Sequence, residues 1–310
     1  PPRIQGFEQA VAPKAVDETA RLKKAALFAL LAFLAPVALL VFLDVRSHRI
    51  NSAQDVSRGL GLHVIGSLPL IPDRVFRSLG RGSRRAMHWQ ALMRESISGI
   101  AVDVLRKSQL DGTRVVLVSS AGRGEGKTSL SIQLARNLAE AGYRTLLVDF
   151  DLRRPSVGPA LGLDAQSGIG EVLFGRSEMA STAQETDDPN LWVMQPGRWT
   201  SSSIAVLSNG VVPKFFREAR EQFDFVIVDG SPVLPVAETR LLSQHADLVI
   251  LSVFRDVSRG PKVLEACRIL GAYGARSLGV VVTAGSGELY TYDSEYAQAE
   301  EPEDGEAVGR

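Results

Sequence analysis

Apolar positions follow two patterns along the chain. Residues 25–43 form 19 consecutive uncharged and almost wholly apolar positions. Beyond residue 110, short apolar runs rich in β-branched residues alternate with stretches whose apolar positions recur every three to four residues. An unbroken run of this length is typical of a membrane helix, and the alternation is typical of buried strands separated by amphipathic helices. The sequence therefore predicts one membrane span followed by an α/β domain.

The run at 25–43 has the length of a transmembrane helix. At 1.5 Å per residue it extends about 28 Å, close to the roughly 30 Å of a bilayer core. Pro36 lies within it, and membrane helices tolerate such a proline. A signal peptide is disfavoured because a long charged stretch precedes the run and no small-residue cleavage site follows. A buried core helix is the alternative.

Arginine is concentrated after this run. Between Arg46 and Arg94 there are nine arginines and two aspartates. This excess of positive charge predicts that the chain after the span lies on the cytoplasmic side. The arginines are expected either to contact anionic membrane lipid or to lie in a solvated linker. Because the sequence begins with Pro1-Pro2, we expect it to be part of a longer protein.

Strand and helix patterns alternate along the rest of the chain. Short runs with apolar, often β-branched residues at successive positions predict strands at 113–119, 144–148, 223–228, 248–253 and 278–282. Helical spacing predicts helices at 128–141, 203–221 and 261–273. Strands buried on both faces and separated by helices indicate a mostly parallel sheet covered by helices on both faces.

A glycine-rich loop follows the first of these strands. It reads Ala121-Gly-Arg-Gly-Glu-Gly-Lys127-Thr128 and runs directly into a predicted helix. Small residues let backbone N–H groups close around phosphates, and the helix N-terminus adds partial positive charge. This is a P-loop, so the fold class is a P-loop NTPase and the ligand a nucleoside triphosphate with Mg²⁺. The predicted nucleotide-binding residues are Ala121, Gly122, Arg123, Gly124, Glu125, Gly126, Lys127, Thr128 and Ser129.

Two other strands end in aspartate. Asp149 and Asp151 follow one of them, and Asp229 ends another. The carboxyl ends of parallel strands share one edge, so we expect all three carboxylates near the P-loop. The predicted Mg²⁺ ligands are these aspartates and the Thr128 hydroxyl. One of the paired acids is also positioned to accept a proton from an attacking hydroxyl. A helix-capping role is the alternative for a lone strand-end aspartate.

Several other kinds of site have no support in the sequence. The single cysteine, Cys267, excludes a disulfide within one chain, and the four histidines are scattered without zinc-site spacing. There is no Gly-x-Ser-x-Gly motif for serine-based hydrolysis. We expect no nucleic-acid partner.

The motifs together resemble those of the bacterial tyrosine kinases that are attached to polysaccharide co-polymerases. The resemblance is carried by INSAQDVSRGLGLHVIGSLPLIP after the apolar run, and by SSAGRGEGKT, VDFDLRRP and FDFVIVDGSP. It implies a membrane-anchored, ATP-dependent protein-tyrosine autokinase that regulates capsular or exopolysaccharide polymerisation and export. It also implies a location in the bacterial inner membrane with a cytoplasmic kinase domain. The active site implied is Lys127, Thr128, Asp149, Asp151 and Asp229, with Arg153 in support.

The resemblance also gives a role to the acidic tail. Tyr290, Tyr292 and Tyr296 lie among acidic residues there. In this family such tyrosines are phosphorylated between neighbouring subunits, which implies a homo-oligomer and contact with the polysaccharide export machinery. A solvated tail with incidental tyrosines is the alternative. The predicted organisation is a juxtamembrane segment (1–24), a membrane helix (25–43), an Arg-rich linker (44–90), a P-loop kinase domain (91–284) and an acidic tail (285–310).

Two other functions are alternatives to the kinase. The family's Glu-x-x-Arg-x-x-Arg oligomerisation motif corresponds here to Glu95, Ser98 and Ala101. The missing arginines leave a nucleotide-dependent assembly switch without kinase activity as one alternative. A partitioning-type ATPase is another, although Gly122 occupies the position of the signature lysine of those proteins.

Overall fold

The computed structural model describes residues 18–69, 84–164, 167–198, 207 and 210–284. Residues 1–17 and the acidic tail, with Tyr290, Tyr292 and Tyr296, lie outside the described residues. The chain divides into two compact units, residues 1–48 and 49–310.

The described part of the first unit is a long helix, α1 (Glu18–Ser47), with Pro36 inside it. Its segment Arg21–Leu39 is long and apolar enough to cross a membrane, and none of that segment is buried. Phe28 and Phe33 are about 70% exposed. By length and composition, α1 is therefore a candidate membrane span.

The second unit is built on an eight-stranded sheet. Its strands are β1 (Val64–Pro69), β2 (Val115–Ser120), β3 (Thr145–Phe150), β4 (Gln184–Glu185), β5 (Leu191–Met194), β6 (Phe225–Gly230), β7 (Leu248–Phe254) and β8 (Leu278–Ala284). The spatial order is β1-β8-β7-β2-β6-β3-β5-β4, and only the β4–β5 pair is antiparallel. The prediction of a mostly parallel α/β sheet is therefore confirmed.

Helices join these strands. They are α2 (Arg84–Asp111), α3 (Lys127–Glu140), α4 (Val157–Leu161), α5 (Ile169–Leu173), α6 (Met179–Thr182), α7 (Val211–Gln222), α8 (Ala237–Ser243) and α9 (Gly260–Ala272), with a short π-helix at Asp55–Gly59. Each predicted strand and helix beyond residue 110 has an observed counterpart, with bounds shifted by a few residues. The helix expected at 203–221 is the exception, because the observed helix begins at Val211. Residues 203–206, 208 and 209 lie outside the described residues.

Alternation along the strands produces two hydrophobic cores, one on each face of the sheet. In β2, Val115 and Leu117 face one core, while Val116 and Val118 face the other. Helices α2 and α3 cover the second face, and α7 and α9 cover the first. Strands buried on both faces need apolar residues at every position, which explains the continuous apolar runs.

The structure differs from the linker expected at 44–90. Helix α1 continues to Ser47, and α2 already begins at Arg84. Between them, β1 adds to the sheet edge beside β8. Ile65 and Leu68 pack into a core. Strand β1 is short and contains Gly66 and Ser67, so its pattern lacked the apolar run by which the other strands were recognised. The α/β unit therefore begins near residue 49 rather than at 91.

Candidate functional site

The P-loop closes over the carboxyl end of β2. Gly124 and Gly126 have φ of 74° and 78°, a left-handed backbone that side chains with a Cβ disfavour. Gly126 directly precedes the first residue of α3, Lys127. The free N–H groups at this helix start therefore point into the loop, which is the arrangement that holds phosphate oxygens. Ser129 lies on the exposed side of the first turn of α3.

The sheet order brings the other candidate residues to the same place. Strand β6 lies next to β2 and strand β3 lies next to β6, and Asp149 on β3 is paired in register with Asp229 on β6. All three aspartates are buried. The arrangement at one sheet edge follows from parallel pairing, as the sequence predicted.

Lys127 forms an ion pair with Asp151. The distance from Nζ to Oδ2 is 2.8 Å, and the two side chains are 12% and 9% exposed. The other carboxylate oxygen of Asp151 accepts a hydrogen bond from the Ser231 hydroxyl at 2.9 Å. A lysine and a carboxylate thus meet at the mouth of the P-loop, with the carboxylate held by a second strand end.

Asp229 contacts the start of α3. It accepts hydrogen bonds from the hydroxyls of Thr128, at 2.7 Å, and Ser131, at 3.0 Å. Burial raises the pKa of Asp229 to about 7, against the opposing effects of the Lys127 charge and the Thr128 hydrogen bond. A hydroxyl beside a carboxylate is a donor set that suits Mg²⁺, which takes one or two carboxylates and completes its shell with phosphates and water.

Asp149 is engaged with backbone rather than with side chains. Its Oδ2 accepts hydrogen bonds from the N–H groups of Ser156 and Val157, at 2.9 and 3.0 Å, and its Oδ1 accepts one from Asp151. Burial raises the pKa of Asp149, although the three N–H donors oppose this. In this geometry Asp149 folds the 151–157 loop and fixes the backbone of Asp151. In the described part of the chain, no three His, Cys, Asp or Glu side chains form a group suited to a metal ion.

Arg153 is held by an acid that the sequence analysis did not identify. Its guanidinium donates to Oε1 of Glu238 at 2.9 Å. The Glu238 side chain is 6% exposed, whereas that of Arg153 is 53% exposed. Glu238 lies in the first turn of α8, after a loop in which no motif marks it, so only the fold reveals the pair.

The Glu125 side chain points into the protein instead of toward the loop opening. Its Oε2 accepts the N–H of Gly122 at 2.7 Å, and its Oε1 accepts the Ser258 hydroxyl at 2.7 Å. The residue is 5% exposed. Ser252 on β7 donates to the backbone oxygen of Glu125. Glu125 therefore connects the P-loop to the loop between β7 and α9.

A cleft of about 180 Å³ opens between these segments. Its lining combines the P-loop, the end of β3 and the loop after β6. The lining residues are Arg123, Gly124, Lys127, Asp151, Arg153, Arg154, Pro232 and Val236. The cleft is thus rich in cationic side chains with one carboxylate, as a site for phosphate groups requires.

Comparisons with known proteins agree with this geometry. A family model described as an AAA domain matches residues 113–258. The tyrosine-protein kinase CpsD of Streptococcus pneumoniae is 32% identical over 172 residues, covering 55% of this chain and 76% of that protein. The chain belongs to the bacterial tyrosine-protein kinase family.

Other members of this kinase family are similar over more of the chain. The tyrosine-protein kinase YwqD of Bacillus subtilis is 29% identical over 204 residues, which is 66% of this chain and 82% of YwqD. The kinase domain of the Escherichia coli tyrosine kinase ETK superposes with a TM-score of 0.69 at 17% identity, covering 84% of this chain and all of that domain. The chain thus has the fold of that kinase domain.

Proposed function

We propose that the chain is a membrane-anchored protein-tyrosine autokinase that uses ATP with Mg²⁺. The observation that carries the proposal is the convergence of Lys127, Thr128, Asp151 and Asp229 at one sheet edge. A hydrolase needs only to position water, whereas a second strand-end carboxylate beside the P-loop suits the activation of a protein hydroxyl. Membership of the tyrosine-protein kinase family supports the same reaction.

The P-loop residues 121–129 hold the triphosphate in this proposal. Backbone N–H groups at the start of α3 contact the phosphates, and Lys127 turns from Asp151 to the β- and γ-phosphates. Thr128 and Asp229 would hold Mg²⁺, and the bound ion would neutralise negative charge on the phosphates. Asp149 contributes by fixing the backbone of Asp151. Arg153, kept in place by Glu238, lies at the cleft opening.

Asp151 acts as the general base. Once Lys127 contacts phosphate, the Asp151 carboxylate is free to accept the proton of a tyrosine hydroxyl. A bond forms between the tyrosine oxygen and the γ-phosphorus, and the bond from that phosphorus to the β,γ-bridging oxygen breaks. ADP leaves, and the phosphate stays on tyrosine.

We infer that the acceptors are Tyr290, Tyr292 and Tyr296 of a neighbouring subunit. Three of the five tyrosines of the chain occur in this acidic tail. Each phosphate adds a charge of about −1.5 to −2, and the repulsion between tails would loosen an oligomer. In this way the kinase regulates capsular or exopolysaccharide polymerisation and export at the inner membrane, with α1 as the anchor and anionic lipid near its arginines.

Helix α2 lacks the two arginines of the family's oligomerisation motif. Ala101 is 2% exposed and lies in a core, and the Ser98 hydroxyl accepts a hydrogen bond from Asn137 on α3. The face of α2 that carries Glu95 therefore offers no arginine from these two positions. This observation favours, as a second candidate, a nucleotide-dependent assembly switch without kinase activity.

Labelling separates the two candidates. The full chain in detergent is incubated with γ-labelled ATP and Mg²⁺, and phosphoamino acids are analysed. We expect label on tyrosine, and a strong decrease in the variant in which Tyr290, Tyr292 and Tyr296 are all Phe. Equal labelling of that variant overturns the tail assignment. Absence of label with an ATP-dependent change in oligomer size establishes the switch instead.

A further inference from the structure

The rim of the cleft carries two arginines whose charge is not compensated. Two of the four cationic side chains lining it are paired: Lys127 with Asp151, and Arg153 with Glu238. The other two, Arg123 and Arg154, are exposed and form no ion pair with any described residue. When the charge of a nucleotide is not counted, Arg123 and Arg154 thus give the cleft mouth a net charge of two positive units.

The two arginines lie on different segments that flank the proposed base. Arg123 belongs to the P-loop, and Arg154 follows β3. The Arg154 N–H donates to the backbone oxygen of Asp151, at 3.1 Å, and to its carboxylate, at 3.3 Å. The position of Arg154 is therefore tied to that of Asp151. A peptide whose tyrosine reaches Asp151 places its next residues within range of Arg154, because each extended residue spans about 3.5 Å.

The tail of this chain has a matching pattern. Glu288 lies two residues before Tyr290, Asp293 one residue after Tyr292, and Glu295 one residue before Tyr296. From residue 285 to the end there are eight acids and one arginine. Every candidate acceptor thus has a carboxylate within two residues, and arginine is the side chain best suited to bind a carboxylate.

We propose that Arg123 and Arg154 form an acceptor-recognition rim that selects tyrosines flanked by acidic residues, with the tail of a second copy of this chain as its occupant. The inference rests on the proposed kinase function and adds the substrate class. It assigns the rim arginines to the acceptor peptide, whereas the P-loop backbone, Lys127 and the start of α3 serve the nucleotide.

The test uses peptides as acceptors for the full chain carrying Phe at 290, 292 and 296. One peptide has the sequence of residues 286–298; a second has Glu288→Gln, Asp293→Asn and Glu295→Gln; a third has lysine at these three positions. The KM and kcat for each peptide and the KM for ATP are measured. The enzymes compared are the parent, Arg154→Gln, Arg154→Glu, and Arg136→Gln as a matched control on the exposed side of α3.

We expect the neutral peptide to have a higher KM than the acidic one, with kcat little changed. Arg154→Gln should raise the KM of the acidic peptide about three- to fivefold, the range of an exposed ion pair, and leave that of the neutral peptide unaltered. The Arg154→Glu variant should have a lower KM for the lysine peptide than for the acidic one. A merely structural role of Arg154 does not predict this reversal. The control variant should behave as the parent, and high salt should weaken each preference.

Three outcomes contradict parts of this account. Equal KM values for the acidic and neutral peptides overturn the recognition rim while leaving the kinase function intact. A rise in the KM for ATP in Arg154→Gln, with both peptides affected alike, assigns the arginine to the nucleotide and also overturns the rim. If no peptide is phosphorylated by the parent, the proposed function itself fails, and the rim with it.

Discussion

Asp229 should make the nucleotide-free protein less stable as the pH rises. Its carboxylate is fully buried at the end of β6, and the Asp229→Asn substitution replaces it with an uncharged group of the same shape. The amide oxygen can still accept the Thr128 hydroxyl. The Ser131 hydroxyl also donates a hydrogen bond to the Lys127 backbone oxygen at 2.9 Å. In the variant it can keep that bond and accept a hydrogen bond from the amide nitrogen of the new side chain. The substitution therefore removes a buried charge with little change in packing.

The magnitude follows from the pKa. Burial raises the pKa of Asp229 from 3.8 to about 7 in the folded chain. The unfolded chain loses this proton near pH 4, so the folded state is disfavoured progressively between pH 4 and pH 7 and by a constant amount above that. Each pH unit costs about 1.4 kcal/mol. Between pH 5 and pH 8 the wild type should lose about 3 kcal/mol relative to Asp229→Asn.

Urea unfolding of both proteins at pH 5, 6, 7 and 8, without nucleotide or Mg²⁺, measures this difference. Fluorescence of Trp192, half-buried on β5, is one probe. Burial also raises the pKa of Asp149, so the absolute stability of both proteins declines in the same direction. The difference between them reports Asp229 together with its repulsion of Asp149. A difference that stays constant from pH 5 to pH 8 would refute a raised pKa at this position.

Two further predictions concern side chains that support the site. Glu125→Ala removes the acceptor of the hydrogen bonds from the Gly122 N–H and the Ser258 hydroxyl. Because each such bond contributes about 1–3 kcal/mol, we expect the Kd for ATP to rise about tenfold, and Ser258→Ala should give a smaller rise. A calorimetric ATP titration that finds neither effect contradicts the role of Glu125. Glu238→Gln releases Arg153 from its ion pair, and we expect kcat to fall about tenfold with the KM for ATP little changed. Steady-state kinetics in which only the KM for ATP changes would assign Arg153 to ground-state nucleotide binding.

Local sequence signals were sufficient for β2, β3, β6, β7 and β8 and for the helices α3, α7 and α9. The short strands β4 and β5 and the short helices α4, α5, α6 and α8 were not predicted. Buried parallel strands such as β2 and β6 consist of continuous apolar residues, and the P-loop glycines have left-handed backbone that few other residues adopt. Strand β1 was not predicted, because its place at the sheet edge depends on pairing with β8, more than 200 residues later in the chain. A pairing between distant segments leaves no local pattern.

The candidate site shows the same division. The strand-end aspartates were predictable because parallel strands bring their carboxyl ends to one edge. Their different surroundings were not: Asp149 binds backbone N–H groups, whereas Asp151 binds Lys127 and Ser231. The supporting acid Glu238 and the inward direction of the Glu125 side chain also depend on contacts across the sheet. Such contacts have no spacing rule in the sequence.

The central claim is that this site transfers phosphate from ATP to tyrosines of the tail. Mass spectrometry of the full chain, incubated with ATP and Mg²⁺, tests it most directly when the wild type is compared with Asp151→Asn. The account predicts phosphate on Tyr290, Tyr292 or Tyr296 in the wild type and at least a hundredfold less in the variant, the usual contribution of a general base being about 10²–10⁴-fold. Unphosphorylated tail peptides in the wild type, or equal phosphorylation in both proteins, would contradict it.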